Sequence, residues 1–156
     1  MTGVFENLRH LVRRFFTSLS KRPPSESDIA WVNVNLLAGE FTLWSRMKSY
    51  DQRHSIEVAQ RFADLCPACT REQVAAALLH DIGKIDADLG VFARVLATVV
   101  GPYGKKFRLY DEHEVIGSRL CHDAGSSDET LRLLDCSSTE SRNDPIVKLL
   151  LQADQI

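Results

Sequence analysis

The segment Ala75-Ala-Ala-Leu-Leu-His80-Asp81-Ile-Gly-Lys-Ile85 constrains this chain more than any other. Five apolar residues run without a break into an adjacent imidazole and carboxylate. Such a run belongs inside a core, and burying two ionisable groups there costs free energy unless they are paired or bind a cation. Side chains of neighbours on a helix leave about 100° apart, so His80 and Asp81 cannot chelate as an i, i+4 pair. At a helix end they can converge on one ion from different sides, with the remaining ligands supplied by other helices. His54, in Tyr50-Asp-Gln-Arg-His54-Ser-Ile-Glu-Val-Ala59, and Asp154, in Leu149-Leu-Leu-Gln-Ala-Asp154, are the natural candidates. Two imidazoles and two carboxylates make an N/O donor set suited to a divalent cation.

The helical grammar around these residues is consistent. Thr70-Arg-Glu-Gln73 is a capping box that starts a helix with Val74, Ala77 and Leu78 turned inward, expected to stop near Gly83. The first histidine is expected to begin a helix over Ser55–Leu65, with Ile56, Ala59, Phe62 and Ala63 inward. Leu89, Phe92, Val95, Leu96 and Val99 mark a further amphipathic helix, ended by Gly101-Pro102. Asp111 with Glu114, and Ser126 with Glu129, predict two more helix starts. Pro145 suits the first turn of a last helix, whose Val147, Leu150 and Leu151 should pack inward. Ser27 or Asp28 should cap an earlier element running toward Trp44 and Met47. Its opening, Ile29-Ala-Trp-Val-Asn-Val-Asn-Leu-Leu37, alternates in the manner of a strand, and Gly39 is expected to interrupt it. The fold class read from these signals is all-α.

The order His54…His80-Asp81…Asp154, with its local surroundings HS-x-x-VA, AALLHDIGK and LL-x-AD, resembles the HD-domain metal-dependent phosphohydrolases from about Asp51 to Ile156. A bare His-Asp dipeptide would carry no weight; four positions in order, each in apolar surroundings, do. The resemblance implies an HD-like helical bundle that holds one divalent metal (Mn, Mg, Co, Ni, Fe or Zn) through His54, His80, Asp81 and Asp154. It favours a helix over a strand for the stretch before Trp44. It also implies hydrolysis of a phosphate ester, of a nucleotide or another small phosphorylated metabolite. Asp81 would then serve as ligand and proton acceptor, and Lys84 as a point charge on a substrate phosphate. Arg53 and Arg46 would add the bidentate phosphate contacts that a lysine cannot make.

His113, four residues before Gly117, resembles the third-histidine region of two-metal HD proteins. The position where a further histidine would fall reads Leu133-Leu-Asp-Cys-Ser-Ser-Thr-Glu-Ser141, and His122 lies elsewhere. One metal is therefore expected, with His113 behind the ligands or against substrate; a second metal held through His113 is the alternative. The Gly-Tyr-Pro tripeptide of cyclic-dinucleotide phosphodiesterases is missing.

Length and composition set the outer bounds. At 156 residues, 44% hydrophobic and 26% charged, the chain can bury a core as one domain without staples. A net charge of -2 gives no drive toward a nucleic acid duplex or an anionic surface. Four cysteines do not make a secreted disulfide framework, and no apolar run reaches membrane-spanning length, so a cytoplasmic location is expected. Residues 1–26 read as a basic amphipathic helix followed by a Pro-containing linker, and 27–156 as the helical domain. That first helix, with Phe15 and Phe16, is expected to dock on the domain or on a second copy rather than on a membrane. Trp31 and Trp44 are further candidates for an oligomer interface. Cys66-Pro-Ala-Cys69 reads as a loop between helices, with no second pair to complete a zinc site and no βαβ context for redox work. The alternative to an enzyme is a metal-stabilised binding or regulatory module, suggested by the basic first helix and by the nearness of Asp154 to the last residue.

Overall fold

The computed structural model describes residues 22–85, 115–135 and 143–155, and every described element is helical. The expected helices at the N-terminus and around Leu89–Val99, the start at Asp111, and His113 with Phe15 and Phe16 lie outside these residues.

The centre is the helix α4, Arg71–Leu79, in which every residue from Val74 to Leu79 is buried. It has no apolar stripe because it has no solvent face: α1 (Glu26–Asn35), α3 (Ser49–Leu65) and α6 (Asp128–Leu134) all pack against it. Ala75, Ala76 and Ala77 keep its girth small enough for neighbours on several sides. At its start, Thr70 Oγ1 accepts from the Gln73 amide at 3.3 Å, and Gln73 Oε1 accepts from the Thr70 amide at 3.1 Å. The predicted capping box is therefore present. The α-helix ends at Leu79, earlier than Gly83, and a 3₁₀ turn over Ile82–Ile85 follows.

The stretch with strand-like alternation is two helices. Ser25, not Ser27 or Asp28, caps α1, its hydroxyl accepting from the Asp28 amide at 3.1 Å while Asp28 accepts from the Ser25 amide at 3.2 Å. The alternation is weak evidence because α1 buries only Val32, whereas Val34 is 71% exposed. The chain breaks at Leu36-Leu37, and α2 (Ala38–Trp44) starts there with Glu40 accepting from the Leu37 amide at 2.8 Å. Gly39 thus lies inside α2 rather than interrupting a helix. A Cβ on it would fall 2.1 Å from the carbonyl oxygen of Ala124, so the residue permits a close backbone approach between α2 and the turn that follows the helical segment 115–123, α5. Trp44 belongs to the core at 2% exposure, its indole donating to Ser55 Oγ at 2.9 Å, which removes it as an interface residue. Trp31 is partly buried and packs on the same core.

The helix carrying His54 begins at Ser49, so the histidine stands in its second turn rather than at its start. Ile56, Ala59 and Phe62 are buried as expected, and Ala63 is only half-buried. Ser127 rather than its neighbour Ser126 caps α6, accepting from the Thr130 amide at 3.2 Å. The last helix, α7, spans Pro145–Gln155 and packs on α3. It buries Val147, Leu150 and Ala153, whereas Leu151 faces outward at 45% exposure. Cys66 closes α3 and its carbonyl accepts from the Cys69 amide at 2.9 Å. Both cysteines are free and pack partly on the core, as the loop reading expects. Among the described residues no helix is long and apolar enough to cross a membrane.

Candidate metal centre

Three helices meet at the C-terminal end of α4. The last carbonyls of a helix have no donor from within it, and His80, the C-cap of α4, satisfies one of them. Its Nδ1 lies 2.8 Å from the Ala77 carbonyl oxygen. A carbonyl can only accept, so Nδ1 carries a proton, and in the neutral ring Nε2 presents its lone pair. That Nε2 is out of contact with solvent and, among the described residues, has no hydrogen-bond partner. It lies 3.7 Å from Asp154 Oδ1 on α7 and 3.6 Å from Asp81 Oδ2. His54 Nε2, on α3, is 3.0 Å from the same Asp154 oxygen. The two imidazoles stand edge to face, with centroids 5.7 Å apart.

One donor atom from each of His54, His80 and Asp154 lies within 4.8 Å of the other two, the spacing of ligands around a common ion. The donor chemistry fits a divalent cation. So does the bare Nε2 of His80, an acceptor turned into a buried space without a donor. The Ala77 carbonyl behind Nδ1 is the kind of outer contact that fixes the tautomer of a ligating histidine. The negative end of the α4 dipole favours positive charge at the same place.

Asp81 stands beside this group with its carboxylate engaged by the ammonium of Lys84, one turn on. Lys84 is thus drawn toward Asp81, half-exposed, rather than extended alone into solvent. Burial pushes the Asp81 carboxyl up, but His80 and Lys84 outweigh it and hold its pKa at about 2. Asp154 is likewise opposed by burial, yet the hydrogen bond from His54 and the facing His80 ring keep it well below the carboxylate range. Burial alone would lower the His80 pKa; the charges of Asp81 and Asp154 reverse that and raise it above 6.5.

Arg53 is half-buried on α3 next to His54, with one guanidinium nitrogen out of solvent. Arg46 is exposed and lines an open groove of about 330 Å³ with Gly39, Thr42, Leu43, Leu120, Asp123 and Ala124. His122 is a surface residue, 3.5 Å from Asp123. Gly117 brings α5 against the turn after the His-Asp pair: a Cβ there would fall 3.2 Å from the Gly83 amide nitrogen.

Two contacts have no signature in the sequence. One is the Ala77 carbonyl, since any residue offers one. The other is Arg61 on α3, whose Nη1 donates to the carbonyl of Ala153 at 3.2 Å. Its only sequence trace is a position two turns after His54, on the same helical face.

A helical domain that gathers histidines and an aspartate from three helices at the end of a buried helix defines a class of helical bundles with a candidate metal site. The HD-domain family model matches residues 52–154, and the chain belongs to that family. HD domains bind divalent metals and are commonly hydrolytic. Comparison with curated proteins and with solved structures gave no match.

Proposed function

We propose that this chain is an HD-type phosphohydrolase acting in the cytoplasm on a phosphate ester of a nucleotide or similar small metabolite. The observation that carries the reading is the buried, unpartnered Nε2 of His80, facing the His54–Asp154 pair. A lone pair left there without a donor costs a core more than an apolar group of the same size would.

His54, His80, Asp154 and Asp81 would hold the ion. When bound, it supplies Lewis acidity toward a phosphoryl oxygen and lowers the pKa of water in the site. The residues of the chain do the rest. The His80 Nδ1–H bond to Ala77 keeps Nε2 aimed at the ligand cluster. Asp81, held at about 2, is a carboxylate throughout the neutral range and serves first as a ligand. It becomes a better proton acceptor when Lys84 leaves it for a phosphate, because that ammonium is one cause of its low pKa. Lys84 then meets charge on the phosphoryl oxygens, with Arg53 and Arg46 as further anion contacts.

A second reading, a metal-stabilised binding or regulatory module, draws on one observation: Asp81 and Lys84 satisfy each other, and among the described residues His54, His80 and Asp154 form the close group without Asp81. A hydrolysis screen separates the two. With Mn²⁺ supplied, the wild type should release phosphate or nucleoside from a panel of nucleotide mono- and diesters, and His80→Ala should not. A wild type that binds Mn²⁺ yet turns over none of the panel would leave the regulatory module standing.

A further inference from the structure

We infer that Arg61 is a positioning residue for Asp154, acting on the metal centre from outside it; this rests on the reading of that centre proposed above. His54 and Arg61 are seven residues apart on α3, two turns along one face. Each grips the last turn of α7 at a different point. His54 Nε2 meets the Asp154 carboxylate at 3.0 Å, and Arg61 Nη1 donates to the carbonyl of Ala153, one residue earlier, at 3.2 Å. Glu57, one turn before Arg61 on the same face, accepts from its Nη2 at 3.4 Å and so restricts the guanidinium.

Val147, Leu150 and Ala153 already seat α7 on α3, and the polar contacts act on its last turn. Two contacts, one on the side chain and one on the main chain beside it, fix both its rotation and its axial position. The bond to Ala153 O is well suited to this. In the last turn of α7, which ends at Gln155, carbonyls lack donors from within the helix. A cation there also complements the helix dipole. Ala153 itself is fully buried, so water does not easily replace the guanidinium. Arg61 is about one-third exposed, and Glu57 more so, which makes a purely stabilising ion pair between them weak. The value of the arrangement lies in where it holds Asp154. A donor atom must be placed within a fraction of an ångström for ligation, and a single loosened support is enough to weaken a site.

The test compares Arg61→Ala, Arg61→Lys and Val147→Ala with wild type. Val147 is a fully buried residue of the same α7 helix, two turns from Asp154. Mn²⁺ affinity is read by titration calorimetry and thermal stability by the melting temperature of the metal-free protein. Arg61→Ala should weaken Mn²⁺ binding about ten- to a hundred-fold, the range for loss of an outer contact to a ligand. Its melting temperature should fall less than that of Val147→Ala, which should keep near wild-type affinity. Arg61→Lys, still able to donate to Ala153 O, should recover part of the loss.

A readout without metal accompanies these. In the metal-free protein, ¹⁵N NMR should find the His54 ring held with a proton on Nε2 by Asp154. In Arg61→Ala the ring should average between tautomers. Unchanged His54 signals and unchanged affinity in Arg61→Ala would overturn the proposal. So would a loss of affinity in Val147→Ala as large as that in Arg61→Ala. If the wild type binds no Mn²⁺, the metal reading fails by itself, and the His54 signals still decide whether Arg61 places Asp154.

Discussion

The two ends of α4 both carry ionisable side chains against the core, and they are built differently. At the N-terminal end, Glu40 is fully buried and stands 3.7 Å from Arg71 Nη1, while its other contact caps α2 through the Leu37 amide. Gln73 completes the capping box and also donates to Glu129 at 3.0 Å. A carboxylate faces a guanidinium there, and a guanidinium cannot ligate a cation. At the C-terminal end, among the described residues, two carboxylates and two imidazoles face one another with the Lys84 ammonium on Asp81. One end sets its carboxylates against a guanidinium and an amide and ties helices; the other gathers lone pairs. The difference teaches that buried charge alone does not mark a functional site. The kinds of donor gathered there do: Glu40 Oε1 is also buried without a hydrogen-bond partner among the described residues, but it faces a guanidinium rather than imidazoles and carboxylates.

The sharpest way to break this contrast is to damage each end and read stability and metal binding separately. Glu40→Ala should cost about 3 kcal/mol in urea unfolding, since it leaves a cavity in the core and removes the cap on the Leu37 amide. Its Mn²⁺ affinity should remain that of the wild type wherever it is folded. His80→Ala should show the reverse, a modest change in metal-free stability with loss of Mn²⁺ binding. Next in size, Mn²⁺ at about a hundred times its dissociation constant should stabilise the wild type by about 2.7 kcal/mol. Calorimetry should find that gain in Glu40→Ala and miss it in His80→Ala.

A smaller effect follows from proton linkage. Because His80 is raised above 6.5, protons compete with the ion, and Mn²⁺ affinity should climb as pH rises through the His80 titration. The metal-free fold should behave oppositely. Its gain from protonated His80 is complete below 6.5 and is lost as pH rises past the raised value. Its gain from Asp81 is present above 3.8 and is lost as pH falls toward about 2. Metal-free stability should therefore be greatest between about 4 and 6.5, checked by urea unfolding across pH. Smallest is Thr70→Ala at the opposite end, about 1 kcal/mol for a lost cap, with no change in metal binding.

The parts of this arrangement that local chemistry decides were readable from sequence. The Thr70–Gln73 box and Pro145 act within one turn, so they appear where the residues predict. Two serines in a row, Ser126 and Ser127, offer equivalent chemistry, and only packing selects the second. The opening of α1 misleads because a helix with little buried surface leaves no apolar period to read. Leu151 is likewise apolar by composition yet outward, because α7 meets α3 along Val147, Leu150 and Ala153. His54, His80 and Asp154 stand out together because imidazoles and a carboxylate in apolar segments need a shared explanation. The Asp81–Lys84 pair and the Arg61 contact depend on side-chain reach across a turn or between helices, which residue order does not encode.

The most direct test of the metal centre is the metal content of the purified chain, by mass spectrometry, on wild type and His80→Ala after exposure to Mn²⁺, Mg²⁺ and Ni²⁺. About one equivalent of divalent metal in the wild type, lost in the variant, is the predicted result. A wild type that stays metal-free with all three supplied would contradict it.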